Sequence, residues 1–142
     1  MSSWPKKKVA VPIDFSDESF NALDQALDLV DSPSQVSVVH VLQDLPPNEP
    51  GLIWSVVDKE SRVRHVKDEL AKKLEGEEYA GIETKVLFGD AGHEIAKFAE
   101  QENVELIVMP SHGRTGLKRL LIGSVAERVV RLAHCPVLVL RK

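Results

Sequence analysis

Short apolar runs recur along the chain, and stretches with a helical spacing of apolar residues lie between them. Several of these runs are continuous rather than alternating, which is typical of strands buried on both faces of a parallel sheet. The pattern therefore predicts five strands: Lys8–Ile13, Val36–Leu42, Thr84–Phe88, Leu106–Met109 and Val137–Leu140.

Four amphipathic helices are predicted between the strands, because apolar residues recur on one face of each at intervals of three or four. Ser16 and Asp90 are expected to cap the first and third helices. The proline-rich segment Gln43–Ser55 is expected to form an irregular loop. The apolar faces comprise Phe20, Leu23, Leu27 and Val30; Val63, Val66, Leu70 and Leu74; Ile95, Phe98 and Ala99; and Val125, Val129 and Leu132.

This alternation predicts an α/β fold with one doubly wound, Rossmann-like, five-stranded parallel sheet and helices on both faces. Right-handed crossovers favour the strand order 3-2-1-4-5. The order then reverses between the first and fourth strands, and such sheets bind ligands outside the carboxyl ends of the strands at that point. The loop Pro12–Ser16 and the segment Met109–Ser124 are therefore expected to face each other.

Composition narrows the class of protein. The chain has 142 residues, of which 43% are apolar, and this fits a single domain, residues 1–142, with a sizeable core. A net charge of −4 and a pI near 5.7 argue against general nucleic-acid binding. No apolar run approaches the length of a membrane span or a signal peptide, so no membrane partner is expected. The single cysteine, Cys135, cannot form an internal disulfide, and a cytoplasmic location is expected.

The segment Met109–Ser124 combines glycine with positive charge, which favours a phosphate group as ligand. Gly113 and Gly123 let a ligand approach the backbone closely. Gly123 and Ser124 are expected to open the fourth helix, and N–H groups at a helix N-terminus bind phosphate. Arg114 supplies a nearby cation, and Asp14 could accept hydrogen bonds from ribose hydroxyls.

Structural interpretations of the same residues remain open from the sequence. They are a capping box for Ser124 and Glu127, turn geometry for Gly113 and Gly116, a cap or turn for Asp14, and a solvated face for Arg114, Lys118 and Arg119. For the histidines they are a structural role of His40 on a buried strand and hydrogen bonds from His112 that hold its loop.

Motifs for catalysis are missing from the sequence. It contains no P-loop, no dinucleotide glycine motif after the first strand and no nucleophile elbow. The histidines show no metal-ligand spacing, and Cys135 has no visible base partner. His112 as acid or base and Arg114 as charge stabiliser are the candidates for chemistry. We therefore expect no catalytic residues, no dedicated metal site and at most a slow ATPase.

Four stretches of the chain together resemble the universal stress protein family over nearly its whole length. They are VPIDFSDES, VVHVL, GDAGHEIAKFA and IVMPSHGRTGLKRLLIGSVAERVVRLAHCPVLVLRK. The nucleotide-binding branch of that family carries G-x-x-G, nine residues and then G-[ST]. Gly113 matches the second glycine, and Gly123 with Ser124 completes the motif. Pro110 stands at the first glycine and departs from the pattern, since it has no N–H to offer a phosphate.

The resemblance implies roles for particular residues. It implies ATP, or AMP or ADP, as the ligand, with magnesium or manganese as a companion of the phosphates, and a homodimer formed through the edge strand Val137–Leu140. The implied nucleotide contacts are the backbone of Val41 at the adenine, Pro12, Ile13 and Asp14 along the adenosine, Met109 near the base, and Gly113, Arg114, Gly123, Ser124 and Val125 around the phosphates, with His112 in the same motif.

The leading hypothesis is a cytoplasmic stress-response protein that binds an adenine nucleotide and acts as a homodimeric regulatory switch. In this hypothesis the nucleotide orders Met109–Ser124, and a partner or the dimer surface responds. The alternative is a dimeric interaction module of the same fold that does not bind nucleotide, with Pro110 as the visible lesion.

Overall fold

A computed structural model of the protein describes residues 7–43, 52–112 and 122–141, with residues 52–57 described for the backbone only. Five strands and four α-helices alternate along these residues. The elements are β1 (Val9–Pro12), α1 (Asp17–Leu27), β2 (Val36–Leu42), α2 (Leu52–Lys73), β3 (Glu83–Phe88), α3 (Ala91–Gln101), β4 (Leu106–Pro110), α4 (Ser124–Leu132) and β5 (Val137–Leu140), with short 3-10 helices at Pro33–Gln35 and Glu77–Tyr79.

The strands form one parallel sheet in the order β3-β2-β1-β4-β5, which confirms the predicted fold class and topology. Side chains of successive strand residues point to opposite faces, so each central strand contributes to two cores. Val9 and Val11 of β1 pack with α1 and α2, whereas Ala10 between them packs with α3 and α4. Both faces of the sheet are therefore covered by helices, as the continuous apolar runs indicated.

Two expectations from the sequence are wrong in detail. The predicted loop Gln43–Ser55 ends earlier, because α2 already begins at Leu52, after Pro50 and Gly51. In α4, Val129 is buried as expected, but Val125 and Leu132 are 38% and 48% exposed. The small side chain of Ala126 is buried beside Val129 instead, so the buried stripe of this helix is narrower than the apolar spacing suggested.

Candidate functional site

A cavity of about 320 Å³ opens at the carboxyl ends of the central strands. It lies where β1 and β4 part, with α3 and the start of α4 along one side. This is the position where open parallel sheets bind ligands, and the volume is at the lower end of the range for small-molecule sites. The cavity is therefore the candidate functional site.

The loop after β1 is held by hydrogen bonds among its own residues. The Asp14 carboxylate accepts from the Ser16 amide at 3.0 Å and from the Ser16 hydroxyl at 2.5 Å. The Ser16 hydroxyl oxygen in turn accepts from the Ser19 amide at 3.1 Å and caps α1, as predicted. The Ser19 hydroxyl donates to the Ser16 carbonyl at 2.8 Å. These bonds fix the Asp14 carboxylate at the rim of the cavity.

His40 at the end of β2 supports the same loop. Its Nδ1 lies 2.6 Å from the carbonyl oxygen of Ile13, and because a carbonyl can only accept, this nitrogen carries the proton. The ring of Phe15 packs edge-on against the His40 ring at 5.0 Å. Phe15 has a φ of 67°, which bulky L-residues rarely adopt. His40 thus has the structural role considered from the sequence, and it also lines the cavity.

The N-terminus of α4 enters the cavity without a side-chain cap. Its N-cap residue is Gly123, whose own N–H donates to the Ser111 carbonyl at 2.6 Å. The capping box of Ser124 and Glu127, considered from the sequence, is not formed, because Ser124 is already the first helical residue and the Glu127 carboxylate pairs with Arg131 at 2.7 Å. Within the described residues, no side chain therefore satisfies the first N–H groups of α4.

α3 begins beside α4 and is capped. The Asp90 carboxylate accepts from the His93 amide at 3.0 Å and pairs with the Arg128 guanidinium at 2.9 Å. The pKa of Asp90 is lowered below its usual value, mainly by the hydrogen bond from the His93 amide and next by the Arg128 guanidinium. Gly92 lets the two helices approach closely, since a Cβ there would lie only 2.6 Å from Cβ of Arg128.

Most of the residues predicted for the nucleotide site meet at the cavity. Gly113 and Arg114 lie outside the described residues, and His112 is described but does not line the cavity. The His112 Nδ1 is 3.2 Å from the Ser111 hydroxyl, and its buried Nε2 has no hydrogen-bond partner among the described residues. The predicted residues that line the cavity are Pro12, Ile13, Asp14, Val41, Met109, Gly123, Ser124 and Val125.

Six lining residues were not assigned to the site from the sequence. Three of them lie on helices, Ser19 on α1 and Ala91 and Ile95 on α3, and the packing of these helices brings them to the cavity, which no local pattern could indicate. Pro110, the position at which the chain departs from the motif, also forms part of the wall. The six are Ser19, Val39, His40, Ala91, Ile95 and Pro110.

Other chemistry is not supported by the described part of the chain. There, no group of three or more His, Cys, Asp or Glu side chains could hold a metal ion. Burial raises the pKa of the Cys135 thiol, which keeps it in the less reactive protonated form. None of the described helices is both long enough and apolar enough to span a bilayer.

An open parallel sheet with a cavity at its switch point defines a Rossmann-like α/β fold with a candidate ligand site. Within this class, the chain belongs to the universal stress protein family, whose sequence model matches residues 6–141. The universal stress protein MJ0531 of Methanocaldococcus jannaschii is 38% identical, over 96% of this chain and 82% of that protein. The universal stress protein YxiE of Bacillus subtilis is 33% identical, over 94% of this chain and 98% of that protein. The resemblance noted from the sequence motifs is thereby confirmed.

Solved structures share the fold. The structure of MJ0577, also from M. jannaschii, has a TM-score of 0.73 and 30% identity, and the match covers 96% of each chain. A universal stress protein in complex with cAMP has a TM-score of 0.61 and 22% identity, covering 98% of each chain. One from Archaeoglobus fulgidus in complex with dAMP has a TM-score of 0.55 and 22% identity, covering 93% of this chain and 95% of that one. At 22% identity the likeness concerns the fold.

Proposed function

We propose that this protein binds an adenine nucleotide in the cavity between β1 and β4 and acts as a homodimeric regulatory switch in the cytoplasm. One observation carries the proposal. The cavity is mainly apolar, and its lining includes the Asp14 carboxylate and the N-terminus of α4, which has no side-chain cap among the described residues. A nucleotide has the complementary sequence of groups: an apolar ring, a sugar with hydroxyl donors, and phosphates.

The geometry suggests how the nucleotide would lie. Apolar side chains, among them Val39, Ile95 and Met109, provide a wall against which the adenine would pack, next to the backbone of Val41. The Asp14 carboxylate would accept hydrogen bonds from the ribose. The N–H groups at Ser124 and Val125 would donate to phosphate oxygens, helped by the dipole of α4.

Gly113, Arg114 and His112 belong to the same proposed phosphate region through their place in the motif, and magnesium or manganese would accompany the phosphates. The complexes of related folds with cAMP and dAMP support an adenine-containing ligand. Both of those ligands carry one phosphate, and the proposal for this protein includes AMP, ADP and ATP.

The dimer would form through β5, which is an edge strand. Leu138 on this strand and Val130 and Leu132 on α4 are large apolar residues with 38%, 50% and 48% of their surfaces exposed. An apolar edge strand favours pairing with a second copy. Because α4 also supplies Ser124 to the cavity, nucleotide binding could shift the population of α4 positions and so affect the dimer surface.

The first test is to purify the protein without added ligand, denature it and identify any released nucleotide by mass. ATP is then titrated calorimetrically into the emptied protein with and without magnesium. Bound nucleotide, or a saturable heat with ATP, is expected. If neither is found at high protein concentration, the alternative applies, a dimeric interaction module without nucleotide, which the presence of Pro110 in the cavity wall favours.

The dimer is tested separately by light scattering with Leu138→Lys. This change places a charge on the exposed apolar strand and is expected to give a monomer that retains nucleotide binding. Lys85→Glu on β3, the opposite edge strand, is the matched control and should remain dimeric. A wild-type monomer, or a dimeric Leu138→Lys variant, would contradict the proposed interface.

A further inference from the structure

Backbone pairing between β1 and β4, the two strands that border the cavity, ends before the strands do, and this unpaired stretch is called the gap. The two strands pair at two positions, Val9 with Leu106 and Ala10 with Ile107, and the pairing then stops. Each strand nevertheless stays paired with its other neighbour, since β1 continues along β2 as far as Pro12 with Val39, and β4 continues along β5 as far as Pro110. The gap is therefore local to the β1–β4 boundary.

Both strands place a proline at this gap, and the nitrogen of each faces it. Successive residues of a central parallel strand direct their backbone groups to alternate neighbours. Ile13 donates its N–H to Val39 of β2 at 2.8 Å, so the nitrogen of Pro12 faces β4. Ser111 donates its N–H to Leu140 of β5 at 2.9 Å, so the nitrogen of Pro110 faces β1.

By the same alternation, the carbonyl groups of Pro12 and Val108 face the gap, and no backbone N–H of the facing strand donates to them. In a continuous ladder, residue 12 would donate to the carbonyl of Val108, and residue 110 would donate to the carbonyl of Pro12. Neither bond can form, because proline has no N–H. A residue other than proline at either position would offer an N–H that could continue the ladder or donate to a ligand. The paired prolines thus leave these two positions with no N–H facing the gap.

We propose that Pro110 is a specificity-determining residue that, together with Pro12, makes the β1–β4 gap a subsite with hydrogen-bond acceptors only. This inference rests on the proposed nucleotide function and specifies its ligand preference. A sugar hydroxyl or an amino group can donate to the carbonyls of the gap, near the Asp14 carboxylate, which also lines the cavity. A phosphate finds no donor from the strands there and must bind at the N-terminus of α4.

The first test is Pro110→Ala, which adds one N–H in the gap while leaving the rest of the wall intact. Calorimetry with adenosine, AMP and ATP gives the ratio of the ATP and adenosine affinities for wild type and variant. The ratio is expected to rise by about tenfold or more in favour of ATP, the size of one hydrogen bond to a charged group. Pro33→Ala, at the start of a 3-10 helix, is the control and should leave the ratio unchanged. A ratio in Pro110→Ala equal to that of wild type would overturn the proposal.

A second test does not depend on nucleotide binding. Amide hydrogen exchange is measured by NMR on the ligand-free Pro110→Ala variant. The new amide at position 110 is expected to exchange much faster than those of Ile107 and Ser111, which donate to Pro136 and Leu140. Equal protection would mean that the new N–H reaches the carbonyl of Pro12, and the gap would not be an acceptor-only subsite. Fast exchange with no binding of adenosine, AMP or ATP would support the geometry of the gap and reject the nucleotide function.

Discussion

Two neighbouring helices, α3 and α4, begin at the same cavity, but their N-termini are built differently. α3 begins after Asp90, whose carboxylate accepts from the first turn and pairs with Arg128. α4 begins after Gly123, and among residues 7–43, 52–112 and 122–141 no side chain accepts from its first turn. Both helices border the cavity, α3 through Ala91 and Ile95 and α4 through Ser124 and Val125.

The difference separates a structural helix start from one that is available to a ligand. A side-chain cap satisfies a donor and places negative charge at the positive end of the helix dipole, so it competes with a phosphate. At α3 the protein supplies its own anion. At α4 no side chain in the described part of the chain accepts from the first turn, which is why the proposed phosphate position is α4 and not α3.

The largest expected effect comes from giving α4 the cap that α3 has. Gly123→Asp is compatible with the backbone, because Gly123 has a φ of −65°. Its carboxylate would accept from the first turn of α4 and repel phosphate. We expect ATP affinity to fall by about 100-fold or more, the equivalent of losing one or two hydrogen bonds to a charged group, with an unchanged or higher melting temperature.

Gly123→Ser tests the effect of a cap without a negative charge, because the serine hydroxyl is a neutral acceptor for the N–H groups of the first turn. Its ATP affinity should lie between those of wild type and Gly123→Asp. Calorimetry and thermal unfolding on all three proteins provide the comparison. If Gly123→Asp binds ATP as tightly as wild type, the phosphates do not lie at the start of α4.

The next effect concerns the contact that places the two helices side by side. In Gly92→Ala the new Cβ would overlap the first side-chain carbons of Arg128, which cannot move without shifting α4. Overpacking of this kind costs about 1–3 kcal/mol of unfolding free energy. ATP affinity should also fall, because Ser124 and Val125 move with α4.

Gly76→Ala is the matched control for this change. Its Cβ would meet only the carboxylate end of the exposed Glu78 side chain, which can rotate away. Urea unfolding and ATP titration should therefore be close to wild type for Gly76→Ala and impaired for Gly92→Ala. Equal stability of the two variants would show that the close approach at Gly92 does not position α4.

The sequence predicted the sheet well because continuous apolar runs are a direct consequence of burial on both faces. It also predicted the caps Ser16 and Asp90, whose partners lie three residues away. The sequence did not decide whether Gly123 or Ser124 is the N-cap residue of α4. The choice depends on the hydrogen bond from the Gly123 N–H to the Ser111 carbonyl, which forms only in the folded chain. Contacts made only in the folded chain set this start, as they set the conformation of Phe15.

A smaller effect is expected when α3 loses its cap. Asp90→Ala removes the acceptor for the His93 amide and should lower the unfolding free energy by about 1 kcal/mol. Asp90→Asn keeps an acceptor and loses mainly the exposed ion pair with Arg128, so it should cost less. ATP affinity should stay unchanged in both variants, the opposite of the result for Gly123→Asp. A loss of affinity in Asp90→Ala without a loss in Asp90→Asn would place the α3 terminus in the ligand site.

The smallest effect is a pH dependence at the same carboxylate. The pKa of Asp90 is lower in the folded protein than its usual value, mainly through the bond from His93 and then through Arg128. A lowered folded pKa contributes stability that is present above the unfolded pKa and is lost as the pH falls through the folded one. The excess stability of wild type over Asp90→Asn should therefore be constant near neutral pH and shrink below pH of about 4.

Urea unfolding of the two proteins between neutral and acidic pH measures this difference in unfolding free energy. A difference that does not change with pH would mean that the ionised carboxylate contributes no more than the amide, and the cap of α3 would then be a matter of hydrogen bonding rather than of charge.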